Sequence, residues 1–161
     1  MSMTDTSTGA ATGPEFEQRL QAFVGRVLVE RAPGPDPVSV PMIRQWVEAL
    51  ELDPEVHLDE DAARATGRAG VVAPAAMTQA WVMRGYAATV RPTDDGSSAA
   101  YDELIDLLAQ AGFSSVVATD SDFEFHRELE PGTLVGYTEA VEAISPPKET
   151  GLGRGPFGTT R

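Results

Sequence analysis

Apolar positions recur along the chain with two different periods. Over residues 15–30, Phe16, Leu20, Phe23, Val24 and Val27 fall at helical spacing, while Val27-Leu28-Val29 reads equally as a first strand. The prolines of Arg31-Ala-Pro-Gly-Pro-Asp-Pro-Val38 predict neither helix interior nor sheet ladder there. Ser39 is placed to cap a helix that runs to about Leu50, with Ile43, Trp46, Val47 and Leu50 on one face. Asp59 caps a shorter helix over 60–66, which Gly67 ends. Pro74 suits the first turn of a third helix through Met83, apolar nearly all round and therefore expected to be buried. A fourth helix is predicted over 99–111 and ended by Gly112, after a surface loop over 91–98.

Beyond Gly112 the period becomes two. Residues 115–129 read as a strand in which Phe123 and Phe125 alternate with Glu124 and His126. Glu130-Pro-Gly132 is a turn, and residues 134–144 form a second strand. Residues 148–150 are extended, residues 151–158 a glycine-rich loop, and residues 157–161 the start of another strand. Helices first and antiparallel strands after, with one helix buried on all sides, predict an α+β fold: an antiparallel sheet wrapped around the central helix that begins at Pro74.

Composition narrows the function. A chain of 161 residues is one domain of ordinary size, able to bury roughly 68–70% of the surface its unfolded form exposes. Cysteine is absent, which removes thiol nucleophiles, thiolate metal sites and disulfides, and only His57 and His126 offer imidazole. We therefore expect no metal and no bound cofactor. A net charge of −13 disfavours nucleic acid and anionic membrane as partners. No apolar run reaches the ~18 residues of a membrane span, and residues 1–14 lack the order of a signal peptide and read as a disordered tail. A cytoplasmic domain over 15–161 is the expectation. Because residues 157–161 begin a strand without completing it, a further C-terminal domain is expected beyond them.

One stretch carries chemistry. Leu52-Asp-Pro-Glu-Val-His57 through Gly67, followed by Gly70-Val-Val-Ala-Pro-Ala-Ala-Met77, resembles the MaoC-like hot-dog-fold hydratases and dehydratases. Phe123-Glu-Phe-His-Arg-Glu-Leu-Glu-Pro-Gly132 and residues 148–157 fit the same family in order and spacing, so the resemblance covers about 37–161. Ala73-Pro-Ala-Ala-Met-Thr-Gln-Ala-Trp-Val-Met83 is similar to the larger subunit of bacterial steroid side-chain enoyl-CoA hydratases. The resemblance implies a hot-dog fold, a smaller hot-dog partner in a heterodimer or heterotetramer, and water addition to a bulky 2-enoyl-CoA in steroid (cholesterol) catabolism. The acyl-CoA is then substrate, not cofactor.

Such hydration needs a paired Asp and His to activate water and protonate the α-carbon. It also needs N–H donors for the thioester oxyanion. The family's active pattern is Gly-Asp-x-Asn-Pro-x-His; aligned on His57, its glycine falls at Glu51 and its acid at Leu52. The histidine is present and the acid is not. Pro74, at the expected helix start, lacks one N–H that an oxyanion site could use. No catalytic residue is therefore expected in this chain, and the pair would come from the partner.

Val72, Ala73, Pro74, Met77 and Trp81 are the candidates for binding the acyl group, although an apolar stripe at helical spacing is core by default. Lys148 and Arg154, basic residues in an acidic chain, are candidates for the phosphates of CoA; the glycines around them lack the sequence of a nucleotide loop. Three rival readings follow. The chain could be a self-sufficient homodimeric (R)-specific hydratase using Asp53 and His57, a non-enzymatic assembly module, or the non-catalytic subunit of a long-chain 3-hydroxyacyl-ACP dehydratase.

Overall fold

The computed structural model describes residues 12–52, 55–83, 85, 86, 90, 99–151 and 153–161. Four helices, α1 (Pro14–Gln21), α2 (Val40–Ala49), α3 (Glu60–Ala65) and α4 (Ala99–Gln110), are found in them. Five strands accompany these helices: β1 (Val27–Pro33), β2 (Gly136–Ile144), β3 (Lys148–Thr150), β4 (Gly153–Gly155) and β5 (Gly158–Thr160). A three-stranded sheet has the order β1–β2–β5, and β3 and β4 form a separate two-stranded sheet. The architecture is thus mixed helix and antiparallel sheet. Among the described residues, no helix is long and apolar enough to cross a membrane.

The chain divides into two compact units, the first over residues 1–30, 95–119 and 138–161, the second over 31–94 and 120–137. In the first, Pro14 occupies the opening turn of α1, where its missing N–H costs nothing, and Phe16 and Leu20 one turn apart are buried. Pro14, placed in the tail by the sequence, is therefore helical, and residues 1–11 lie outside the described ones. Gly25, at φ 84°, breaks the helical path, and the open choice at Val27–Val29 resolves as strand. The β2 backbone accepts it, with Gly25 N–H donating to Val141 O (2.8 Å) and Val141 N–H to Arg26 O (3.0 Å). On the other side β2 pairs antiparallel with β5, Val141 opposite Thr160 and Ile144 opposite Gly158, with a bulge between Val141 and Ala143. Phe16 packs its ring against Phe113 at 6.0 Å. The Arg26 guanidinium donates to Glu103 at 2.7 Å and holds that carboxyl below the ordinary carboxylate range.

The second unit has its own core. Val38, Ile43, Val47, Ala73, Met77, Trp81 and Leu129 form one buried cluster, with Trp46, Leu52 and Val135 packed against it. Residues 31–38 are tied alongside 132–135: Gly34 N–H donates to Val135 O (2.7 Å), Val38 N–H to Thr133 O (2.9 Å) and Gly132 N–H to Val38 O (2.7 Å). Gly132, at φ 89°, makes the turn expected after Pro131. Asp59 caps α3 by accepting from Ala62 N–H (2.8 Å), and Gly67 at φ 89° ends the helix as expected.

Several expectations are corrected. Residues 74–83 form two 3-10 turns, Ala75–Met77 and Ala80–Val82, in place of one buried helix. Pro74 is extended (ψ 135°), and Thr78 closes the first turn on Ala75 O with both its N–H and its hydroxyl, a three-residue span. Pro74, Met77 and Trp81 are buried; Ala75, Ala76, Gln79 and Met83 are exposed. Small alanines had made the stretch look apolar all round.

Residues 115–128 form no ladder, with Val116, Val117, Phe123 and Phe125 exposed; only Leu129 bridges, to Ala73. Alternation marks a strand-compatible surface, but a strand exists only where a neighbour takes its hydrogen bonds. Conversely β1 continues through Pro33, because Gly34 N–H, not the proline, makes the bond to Val135 O. The glycine-rich loop expected over 151–158 contains β4 and the turn of the β3–β4 hairpin. Ser39 stands at the N-cap of α2 with no hydroxyl cap bond, since Pro41 removes one of the N–H groups of the first turn; Leu50 is exposed at the other end. The loop expected over 91–98 lies outside the described residues.

Candidate functional site

The candidate site begins where α2 stops. Glu51 adopts a left-handed conformation (φ 51°), its N–H donates to Glu48 O (3.3 Å), and Leu52 N–H reaches back to Val47 O (3.0 Å). These two bonds satisfy carbonyls that the helix end would leave open, in a motif whose left-handed position normally holds glycine. The same turn folds Leu52 back against the cluster that contains Val47. The two positions where the resemblance places glycine and acid are therefore the left-handed residue and the one after it. Here the second packs on apolar core.

A non-glycine residue in this conformation is strained by roughly 1–2 kcal/mol, partly offset by the extra freedom glycine has when unfolded. Glu51→Gly is expected to raise stability by about 0.5–1 kcal/mol. Denaturant titration should show a higher midpoint with an unchanged slope; a lower midpoint would mean the glutamate side chain has a role of its own.

His57 ends a 3-10 turn, Glu55–His57, and is half-buried. Its Nδ1 lies 2.7 Å from Val72 O. A carbonyl oxygen only accepts, so Nδ1–H donates. Val72 N–H in turn points to Val56 O (3.4 Å), and Ala73 N–H donates to Leu129 O (2.8 Å). Residues 72 and 73 are thus held from two sides. Asp53, the alternative acid, lies outside the described residues.

The structure brings together the acyl-binding candidates Val72, Ala73, Pro74, Met77 and Trp81, all buried in the second unit, with Ala73, Met77 and Trp81 in its core cluster. Lys148 and Arg154 belong to the first unit. In the β3–β4 hairpin Glu149 pairs with Arg154 and Lys148 with Gly155, so alternation puts the two basic side chains on opposite faces. Arg154 lies 3.6 Å from Glu149, and the Lys148 ammonium sits 5.9 Å over the Phe157 ring. His126 is exposed, 3.9 Å from Glu124. Arg68, between α3 and Val72, donates from Nε to both carboxylate oxygens of Glu128 at 2.9 Å and braces the residue before Leu129. No group of three or more His, Asp or Glu side chains among the described residues is placed to hold a metal ion.

Two features escaped the sequence reading. The first is the link between His57 and Val72, fifteen residues apart; no local pattern announces it. The second is a pair of buried indole N–H groups, Trp46 Nε1 and Trp81 Nε1, without a hydrogen-bond partner among the described residues. Both tryptophans were legible as core, but whether an indole nitrogen finds an acceptor depends on chain far away in sequence.

The described chain is thus a helix-and-antiparallel-sheet domain in which a half-buried histidine, tied to the buried segment at Val72, follows an apolar turn packed on the core. Residues 22–157 match the family profile described as "FAS1-like, dehydratase domain region", and the chain belongs to that MaoC-like family. It is 60% identical over 149 residues to the "Probable enoyl-CoA hydratase alpha subunit" of Thermomonospora curvata, covering 92% of this chain and 46% of that protein. It is 43% identical over 122 residues to the "3-oxo-4,17-pregnadiene-20-carboxyl-CoA hydratase alpha subunit" of Mycobacterium tuberculosis, covering 76% of this chain and 38% of that one. The chain therefore spans less than half the length of these two curated relatives. A chain in the crystal structure of the ChsH1–ChsH2 complex from Mycobacterium tuberculosis superposes with a TM-score of 0.74 at 37% identity, over 91% of this chain and 82% of that one.

Proposed function

We propose that the chain is the non-catalytic, substrate-binding subunit of a heteromeric enoyl-CoA hydratase that acts on a bulky 2-enoyl-CoA of the steroid side-chain type. A smaller MaoC-like hot-dog subunit supplies the Asp/His pair. Water then adds across the Cα=Cβ bond, its hydroxyl to the β-carbon and a proton to the α-carbon, while the buried segment of Val72, Ala73, Pro74, Met77 and Trp81 forms the wall behind the acyl group. The single observation that carries this reading is Leu52: at the acid's aligned place stands an apolar side chain packed on the core. The names of the two hydratase alpha subunits and the two-chain composition of the ChsH1–ChsH2 complex support it.

The test uses the chain with and without the partner that co-purifies from its native source, assayed on 3-oxo-4,17-pregnadiene-20-carboxyl-CoA. The chain alone is expected to give no turnover and the complex to give turnover. Leu52→Asp is expected to leave turnover per complex unchanged, because an acid added there meets apolar core and not a water site. Turnover by the chain alone, abolished by His57→Ala, would overturn the reading in favour of the homodimeric hydratase using Asp53 and His57. A doubled turnover in Leu52→Asp would overturn it too.

A further inference from the structure

We propose that His57 is a positioning residue: a latch that fixes the segment the acyl group meets by donating from Nδ1 to the Val72 carbonyl. This rests on the binding-subunit reading above and assigns His57 a present task within it. The geometry is specific to one nitrogen. At 2.7 Å from a carbonyl oxygen, Nδ1 must carry the hydrogen, because a bare ring nitrogen there would set lone pair against lone pair. The hydrogen bond that a ring nitrogen makes decides which tautomer the imidazole adopts. Nδ1 is therefore committed to Val72.

What the latch holds is as informative as the bond. The Val56–His57 backbone and side chain meet both polar groups of Val72, one by Val56 O and one by Nδ1. Leu129 O takes the N–H of Ala73. Between these anchors Val71, Val72, Ala73 and Pro74 are all buried, and directly after them Ala75 and Ala76 are exposed at a 3-10 turn. Small side chains at an exposed turn are thus carried on a segment whose polar edges are tied on both sides. Without the donor, the Val72 carbonyl would sit in a mostly apolar surrounding with no partner, and the segment would move to hydrate it. The outcome is a looser acyl wall with the partner's chemistry untouched.

Two isosteres separate the nitrogens. The amide nitrogen of Asn is bonded to Cγ, as Nδ1 is, so His57→Asn keeps the donor where the latch needs it. Gln places its amide nitrogen near the position of Nε2. In the assembled complex on the same enoyl-CoA, His57→Asn is expected to match the wild type. His57→Gln and His57→Ala are expected to raise KM about tenfold, the size of one lost hydrogen bond, with kcat unchanged.

A second readout needs neither partner nor substrate. In the chain labelled with 15N-histidine, nitrogen shifts should show neutral His57 as the Nδ1–H tautomer, with His126→Gln removing the other histidine signal. Neutral His57 as the Nε2–H tautomer would overturn the latch even if a variant fails to fold. So would three variants that all equal the wild type, or that all raise KM alike; either result leaves the binding-subunit reading standing. If Gln preserves activity while Asn and Ala lower kcat a hundredfold or more, Nε2 is the working nitrogen. That result overturns both.

Discussion

Gly34→Ala is expected to abolish the folded state of the second unit, seen as loss of the cooperative thermal transition and of amide protection around Val38 and Val135. Gly34 is buried between two prolines, and its own N–H donates to Val135 O at 2.7 Å. A Cβ added there would overlap Trp81 O and come within 2.9 Å of Val135 O. Both obstacles are backbone atoms, so no side chain can rotate out of the way. Pro33 and Pro35 restrict φ on either side, which leaves the backbone little freedom to turn the new methyl elsewhere. A clash of this kind costs about 4 kcal/mol or more, against a total stability of roughly 5–15 kcal/mol for a domain. Gly70→Ala is the control, because a Cβ there meets nothing within 4 Å. A Gly34→Ala protein that melts with the wild type would mean that residues 31–38 do not run against Trp81 and Val135.

Trp81→Ala is expected to destabilise by about 3–5 kcal/mol, through lost burial and the cavity left behind. Trp81 is almost wholly enclosed, with Val38, Ile43, Val47, Met77 and Leu129 in the same cluster. Trp81→Phe is expected to behave differently. It removes the larger ring's outer atoms and with them an indole N–H that has no acceptor among the described residues, a group that costs about 1–3 kcal/mol when buried unpaired. The two terms oppose, and the net loss should be about 1 kcal/mol or less. Denaturant midpoints for the pair measure the contrast. Equal, large losses would show that the indole nitrogen has an acceptor in solution.

How much was legible follows from the range of each interaction. Asp59 capping α3, the left-handed glycines at Gly67 and Gly132, and the buried Ile43 and Val47 one turn apart are set by neighbours within a few residues. The central helix failed for a related reason: from Pro74 to Met83 the local signals are weak, and alanine suits a helix, a 3-10 turn, a core and a surface alike. The strand expected over 115–129 had the right alternation, but alternation describes a surface and not the chain that pairs with it.

The site divides in the same way. That leucine stands at the position aligned with the family's acid is visible in the letters Leu52-Asp-Pro-Glu-Val-His57. So is the class of chemistry its neighbourhood resembles. The sequence by itself determined the cap of α3 and the glycine turns, because each depends on bonds spanning about one helical turn, and the leucine at the aligned acid position is read directly from the letters. Only the tertiary structure decided that Leu52 is folded back onto the core from a left-handed turn at Glu51, and that the His57 ring is tied to Val72. Those outcomes depend on which distant segments close over the same apolar cluster, and packing of that kind leaves no periodic trace along the chain.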